Sequence, residues 1–162
     1  MKLKALLYLL IFSLLYSFTT HPIPLRAADF SQSILIEQLE DGYYYETFLE
    51  EATTSRGAVP NLPVQSTTKT KTTRMKDSSG NVLWTVSITA TFTYDGTRAT
   101  CTSCTPSAKS YASSWTIKSV TSSKNGNSAK ATAVATQTDA NGTSQNITKS
   151  VTITCSPTGV VS

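Results

Sequence analysis

Beyond its first 27 residues the chain has no histidine, since the single His is His21. A Ser-His-Asp or Cys-His catalytic arrangement is therefore excluded from that part. Cysteine is scarce as well: Cys101, Cys104 and Cys155 are the whole set. Three Cys without a His fall one ligand short of a structural zinc site. Each of the seven glycines stands alone in a turn or loop, so no Gly-rich loop exists to cradle a phosphate. After Glu51 only Asp77, Asp95 and Asp139 are acidic, and no Asp/Asn cluster marks a calcium-assisted sugar site.

The one long apolar run, residues 5–18, follows the basic start Met1-Lys2-Leu3-Lys4 and precedes a polar stretch ending Leu25-Arg26-Ala27-Ala28. This order of basic, apolar and small residues predicts a signal peptide over 1–27 with cleavage after Ala27. The run falls short of the roughly 20 residues that span a bilayer, so no stable membrane span is expected after cleavage. Lys2, Lys4 and Arg26 leave with the signal, which lowers the formal charge from +4 to +1. The basic character of the whole chain is thus largely that of its leader.

The remaining charge is uneven. Asp29, Glu37, Glu40, Asp41, Glu46, Glu50 and Glu51 fill an acidic segment, and eleven Lys and Arg are spread singly through the rest. Such a division predicts pairing within the fold more readily than two opposed docking patches. The expected organisation is an acidic segment over 28–65, with one strand at about 43–51 and a loop, followed by a main β domain over 66–162. The whole of 28–162 has the length of one globular unit.

Strand signals dominate that unit. Trp84, Val86, Ile88, Ala90, Phe92 and Tyr94 recur at period two opposite Thr85, Ser87, Thr89, Thr91 and Thr93, as in a half-buried strand. Residues 67–76 alternate Thr with basic side chains, as on a solvated or edge strand. Ala129, Ala131, Ala133 and Ala135 also follow period two, and their small size fits opposite Trp84, Phe92 and Trp115. Turn signals at 41–42, 77–81, 95–96, 124–127 and 139–142 separate the strands. Residues 31–40 are compatible with either a short strand or a helical turn. With no amphipathic helix to cover a half-apolar sheet, the pattern predicts an all-β, seven-stranded antiparallel two-sheet sandwich. It would be immunoglobulin-like in general architecture, with an open β-barrel as the alternative.

Export makes a disulfide chemically possible. Cys155 shares a face with Val151 and Ile153, and Cys101 closes the strand after the strongest core strand. A Cys101–Cys155 staple is the favoured pairing, worth on the order of 4 kcal/mol in the loop-entropy model, with Cys104–Cys155 the alternative. Cys104 is then a free thiol or an intermolecular link; no helix begins there, as redox use would require.

Other chemistry has bland readings. Glu46 and Glu50 share a strand face, but too far apart to flank one glycosidic bond comfortably, so both are expected on solvated surface. Tyr111 and Trp115 have only Lys109 and Lys118 near them in sequence, too little for a nucleic-acid surface. Trp84 and Trp115 are expected in the core. Tyr43, Tyr44 and Tyr45 cannot all face inward, and Tyr44 is the candidate exposed contact. Asn141-Gly142-Thr143 and Asn146-Ile147-Thr148 match the glycosylation triplet.

Several pieces resemble small secreted proteins of Gram-positive, often gut-associated, bacteria. They are Glu40-Asp41-Gly42-Tyr43, the Lys-Thr alternation at 69–72, Ser78-Ser79-Gly80-Asn81-Val82-Leu83-Trp84 and Thr91-Phe92-Thr93-Tyr94-Asp95-Gly96. Ala99-Thr100-Cys101-Thr102, Ser113-Ser114-Trp115 and Val151-Thr152-Ile153-Thr154-Cys155-Ser156 belong with them. The resemblance covers roughly 36–162. It implies export, a β-rich domain and the Cys101–Cys155 pairing, and it brings no catalytic residue; Cys104 departs from the pattern.

The expected function is that of a non-enzymatic, secreted or loosely surface-associated β module. It would bind an envelope or extracellular protein or glycan, as a monomer, without cofactor, metal or nucleic acid. A small toxin, bacteriocin-like factor or enzyme inhibitor is the alternative, which needs a protruding loop at 52–65 or 105–112. A carboxylate hydrolase is the remote third.

Overall fold

A computed structural model of the chain describes residues 34–50 and 64–162. The expected signal peptide and most of the 52–65 loop lie outside the described residues. Among the described residues, eight strands form two antiparallel sheets. The first sheet has five strands in sequence order: β1 (Leu35–Gln38), β2 (Tyr44–Glu50), β3 (Gln65–Lys76), β4 (Val82–Tyr94) and β5 (Ala99–Ser110). The second has three: β6 (Trp115–Asn125), β7 (Ser128–Thr138) and β8 (Ser144–Thr154).

The result is a two-layer sandwich that does not close into a barrel. Each sheet is a simple meander, so the likeness to immunoglobulin domains stops at the layering and omits their Greek-key crossing. The strand beyond the expected seven is β1, in the segment compatible with strand or helix. All four of its residues are exposed, which is why no period-two burial signal marks it. It forms because the 3₁₀ turn Glu40–Gly42 reverses the chain: Leu39 N–H donates to the Tyr43 carbonyl at 2.8 Å and Leu35–Gln38 then pairs with β2.

The core follows from complementary side-chain size. β4 contributes Trp84, Val86, Ile88, Ala90 and Phe92, all at most 1% exposed. Opposite, β7 contributes Ala129, Ala131, Ala133 and Ala135, and β8 contributes Val151 and Ile153. The alanines, weak strand formers by propensity, are placed where large side chains from the facing sheet leave no volume for more. Trp84 and Trp115 meet with ring centroids 6.2 Å apart, and the Trp84 indole N–H donates to Met75 Sδ at 3.0 Å. Both tryptophans are core residues, as the sequence suggests.

Two bulges shift the period-two pattern. Ser103 pairs with Thr91 and Cys101 with Phe92, leaving Thr102 extra, so Cys101 and Cys104 both face the core. Lys118 is the extra residue of β6, and it hands the inner face from Ile117 to Val120. β5 therefore continues to Ser110, well past the point where the sequence pattern breaks.

The two sheets are unequal in width. β8 packs over β3 and β4, β7 over β4 and β5, and β6 over β5. β1 and β2 extend beyond β8, and Lys149 reaches across to them. Its ammonium is 2.6 Å from Glu37 Oε2 and 4.0 Å from the centre of the Tyr45 ring.

Candidate functional site

The thiols require a correction first. The Cys101–Cys155 disulfide is absent, and all three cysteines are free, with no two sulfurs at bonding or near distance. Cys101 and Cys155 do both point into the core, but from different sheets, with the β6–β7 turn between their backbones. Cys101 N–H donates to the Gly126 carbonyl at 2.7 Å, and Cys155 N–H donates to the Asn127 carbonyl at 3.0 Å. The thiols instead donate to nearby carbonyls, Cys101 to Ser103 at 3.3 Å and Cys155 to Ser156 at 3.4 Å. Burial pushes both thiol pKa values up, and for Cys101 the neighbouring Cys104 adds to the effect. A thiol so held is protonated at neutral pH and a poor nucleophile. Cys104 lies half-buried within β5, against the core, and not in a loop.

Three carboxylates of the acidic segment have partners among the described residues, Glu37 with Lys149 and Glu46 and Glu50 with the neighbouring strand. Glu46 on β2 accepts an ion pair from Lys76 at 2.8 Å and lies 3.8 Å from Arg74. Glu50 accepts a hydrogen bond from the Thr72 hydroxyl at 2.6 Å. The two carboxylates considered for acid–base work are thus each held by a separate partner. Among the described residues no group of three His, Cys, Asp or Glu could hold a metal ion. No helix among them is long and apolar enough to cross a membrane.

Polar and aromatic side chains converge instead on the outer face of the five-stranded sheet. Strand register puts Ile36, Glu46, Arg74, Thr85 and Lys109 in one row across all five strands. Tyr44 and Lys76 form the next row toward one end; Phe48, Thr72, Ser87 and Ser107 form the next toward the other. Three cations lie over aromatic rings here: Arg74 over Phe48 at 4.3 Å, Lys76 over Tyr44 at 5.9 Å and Lys109 over Tyr111 at 4.9 Å. Each such pair is worth about 0.5–1 kcal/mol at an exposed site. Beyond this end the face is clad in hydroxyls joined across strands, Thr68 to Thr91 and Thr70 to Thr89, each at 2.8 Å. Such pairs stiffen the face by a few tenths of a kcal/mol each.

Tyr44 is half-buried under Lys76, so it belongs to this platform without protruding from it. Phe48, on the same face, is 7% exposed because the Arg74 guanidinium covers it. The open aromatic is Tyr111, 57% exposed, in the connection to β6. Sequence reasoning missed the platform because its members come from four separate stretches. The available hint was that Glu46, Arg74, Thr85 and Lys109 all have outward parity on their strands.

No protein-family model matches the chain, and no curated protein or solved structure shows a significant match to it.

Proposed function

We propose that the protein is an exported, non-enzymatic β-sandwich module that binds a glycan of the cell envelope or its surroundings across the outer face of the five-stranded sheet. The observation that carries this reading is the row of cation–aromatic pairs beside a hydroxyl field. Rings and guanidinium groups offer flat surfaces on which a sugar ring can lie, and Thr and Ser hydroxyls can both donate and accept. Among the described residues Arg74, Lys76 and Lys109 outnumber Glu46 and Glu50 on this surface, so glycans bearing carboxylate or phosphate groups are favoured over neutral ones. The order of residues at 1–27 supports export.

The toxin or inhibitor reading loses one of its two loops, because residues 105–110 lie within β5. Its other loop falls almost wholly outside the described residues. The deciding experiment is a glycan-binding screen with the protein and with Arg74→Ala and Tyr111→Ala. Acidic glycans are expected to bind, and each substitution to weaken binding about tenfold. Retention by proteins alone, with both substitutions silent, would remove the glycan reading.

A further inference from the structure

The mismatch in width between the sheets leaves an incomplete corner. Its wall is the outer edge of β8, and its floor is the inner face of β1, β2 and β3 beyond that edge. Thr154 exchanges backbone hydrogen bonds with Ser162 on the wall side, N–H to carbonyl at 2.9 Å and the reverse at 3.0 Å. Backbone groups alternate sides along a strand, and β8 pairs with β7 without a break in register. Asn146, Thr148, Ser150 and Thr152 therefore aim their N–H and C=O groups outward along the same edge. Among the described residues no backbone group meets them there.

The floor has a distinct chemistry. Leu35, Thr47, Leu49 and Lys71 face the same side as the core residues Tyr45 and Met75. Leu35 is 68% exposed. Lys71, paired with the core residue Ile88, lies on the inward face without an ion pair among the described residues. Burial lowers its pKa, the sign of an ammonium losing water without gaining a counter-charge. Lys69 follows on the same face. The Lys149–Glu37 bridge closes the corner at one end.

We propose that β8 accepts an added antiparallel strand from an extended peptide whose inward-facing side chains are acidic, with carboxylates reaching Lys71 and Lys69. This site is separate from the outer-face platform and does not depend on it. The chain itself shows that the edge accepts such a strand. Val161 bridges Cys155 and Ser162 pairs with Thr154, which starts an antiparallel partner at one end of β8. Gly159 anchors that return: with φ at +84°, it lies so flat on Tyr94 that a Cβ would come within 2.4 Å of the ring. The other edges are blunted. β5 carries Pro106 and Lys109, β6 has the Lys118 bulge, and β1 is only four residues long. β8 runs eleven residues without a bulge. Its inward Lys149, otherwise a guard against pairing, is neutralised by Glu37. Main-chain bonds would give this partner affinity and the lysines its selectivity.

Amide-resolved hydrogen exchange tests the proposal. The probe is a ten-residue peptide alternating valine and glutamate, and the control alternates valine and lysine. The acidic peptide is expected to slow exchange at Thr148, Ser150 and Thr152 at least tenfold and leave β1 amides unchanged, with the basic peptide inert. Thr152→Pro, which removes an edge-facing N–H from an exposed position, is expected to abolish the effect. Lys71→Glu, which leaves the β8 backbone intact, is expected to weaken the acidic peptide at least tenfold, so the test survives if the proline variant does not fold. Three outcomes would overturn the proposal: no protection at about millimolar peptide, equal protection by both peptides, or concentration-dependent protection without peptide. The last would assign the edge to a second copy of the chain.

Discussion

Two halves of one sheet live in different surroundings here. The inner side chains of β4 and β5 lie beneath β6, β7 and β8; nearly all are apolar, and those of β4 from Trp84 to Phe92 are fully buried. Those of β1, β2 and the first half of β3 reach past the smaller sheet and include Leu35, Thr47, Lys69 and Lys71, none of them fully buried. The hydrogen-bonded ladder is continuous across both halves, so backbone pairing does not distinguish them. What differs is the layer above. A strand keeps its geometry from its neighbours in the sheet, but its stability comes from the face it buries.

Substitutions at matched positions measure that contrast. Trp84→Ala, at the centre of the covered half, removes the residue joining Met75, Tyr45 and Trp115. It is expected to cost about 3–5 kcal/mol in urea unfolding; a loss below about 1 kcal/mol would mean the two sheets do not share a packed core. Ala133→Leu asks whether small side chains on β7 are required or only tolerated. Its site is fully buried, so overpacking by about 1–3 kcal/mol is expected, and a neutral result would show slack between the sheets.

Tyr45 stands on the boundary between the halves, and pH tests it. Burial, with a smaller contribution from the Glu37 charge, pushes its phenol pKa from 10.0 up to about 12. The folded state thus holds the proton more tightly than the unfolded chain. The resulting stabilisation is complete below pH 10 and lost as pH rises toward about 12. Tyr45→Phe is expected to flatten this part of the stability profile relative to the parent protein; equal slopes would place Tyr45 in solvent-like surroundings. On the overhang, Leu35→Ala is expected to change stability by less than about 0.5 kcal/mol. The smallest expected effect is that of a reductant. With Cys101, Cys104 and Cys155 all free, the unfolding midpoint should not move, and alkylation after unfolding should label three thiols.

The contrast also accounts for how much the sequence revealed. Period two in Trp84 to Tyr94 and in Ala129 to Ala135 marks strands because those residues are buried on one face only. β1 escaped the pattern because both its faces are exposed, and β5 was cut short because the bulge at Thr102 breaks the alternation. The disulfide expectation failed for a related reason. Parity correctly turned Cys101 and Cys155 inward, but parity is a property of each strand, and the Gly126–Asn127 turn between the two is a property of their assembly. The outer platform was visible only as scattered outward positions, since register across four strands is what brings Tyr44, Arg74, Thr85 and Lys109 together.

By itself, then, the sequence determined the all-β class, most strand limits, the large-against-small division of the core and the lack of a histidine-based catalytic set, because side-chain size, alternation and residue inventory are local facts. The tertiary structure alone decided the split into five and three strands, the free state of the thiols, the cation–aromatic rows and the open corner beside β8. Each of these depends on which strands become neighbours, and neighbours are chosen by the packing of whole faces.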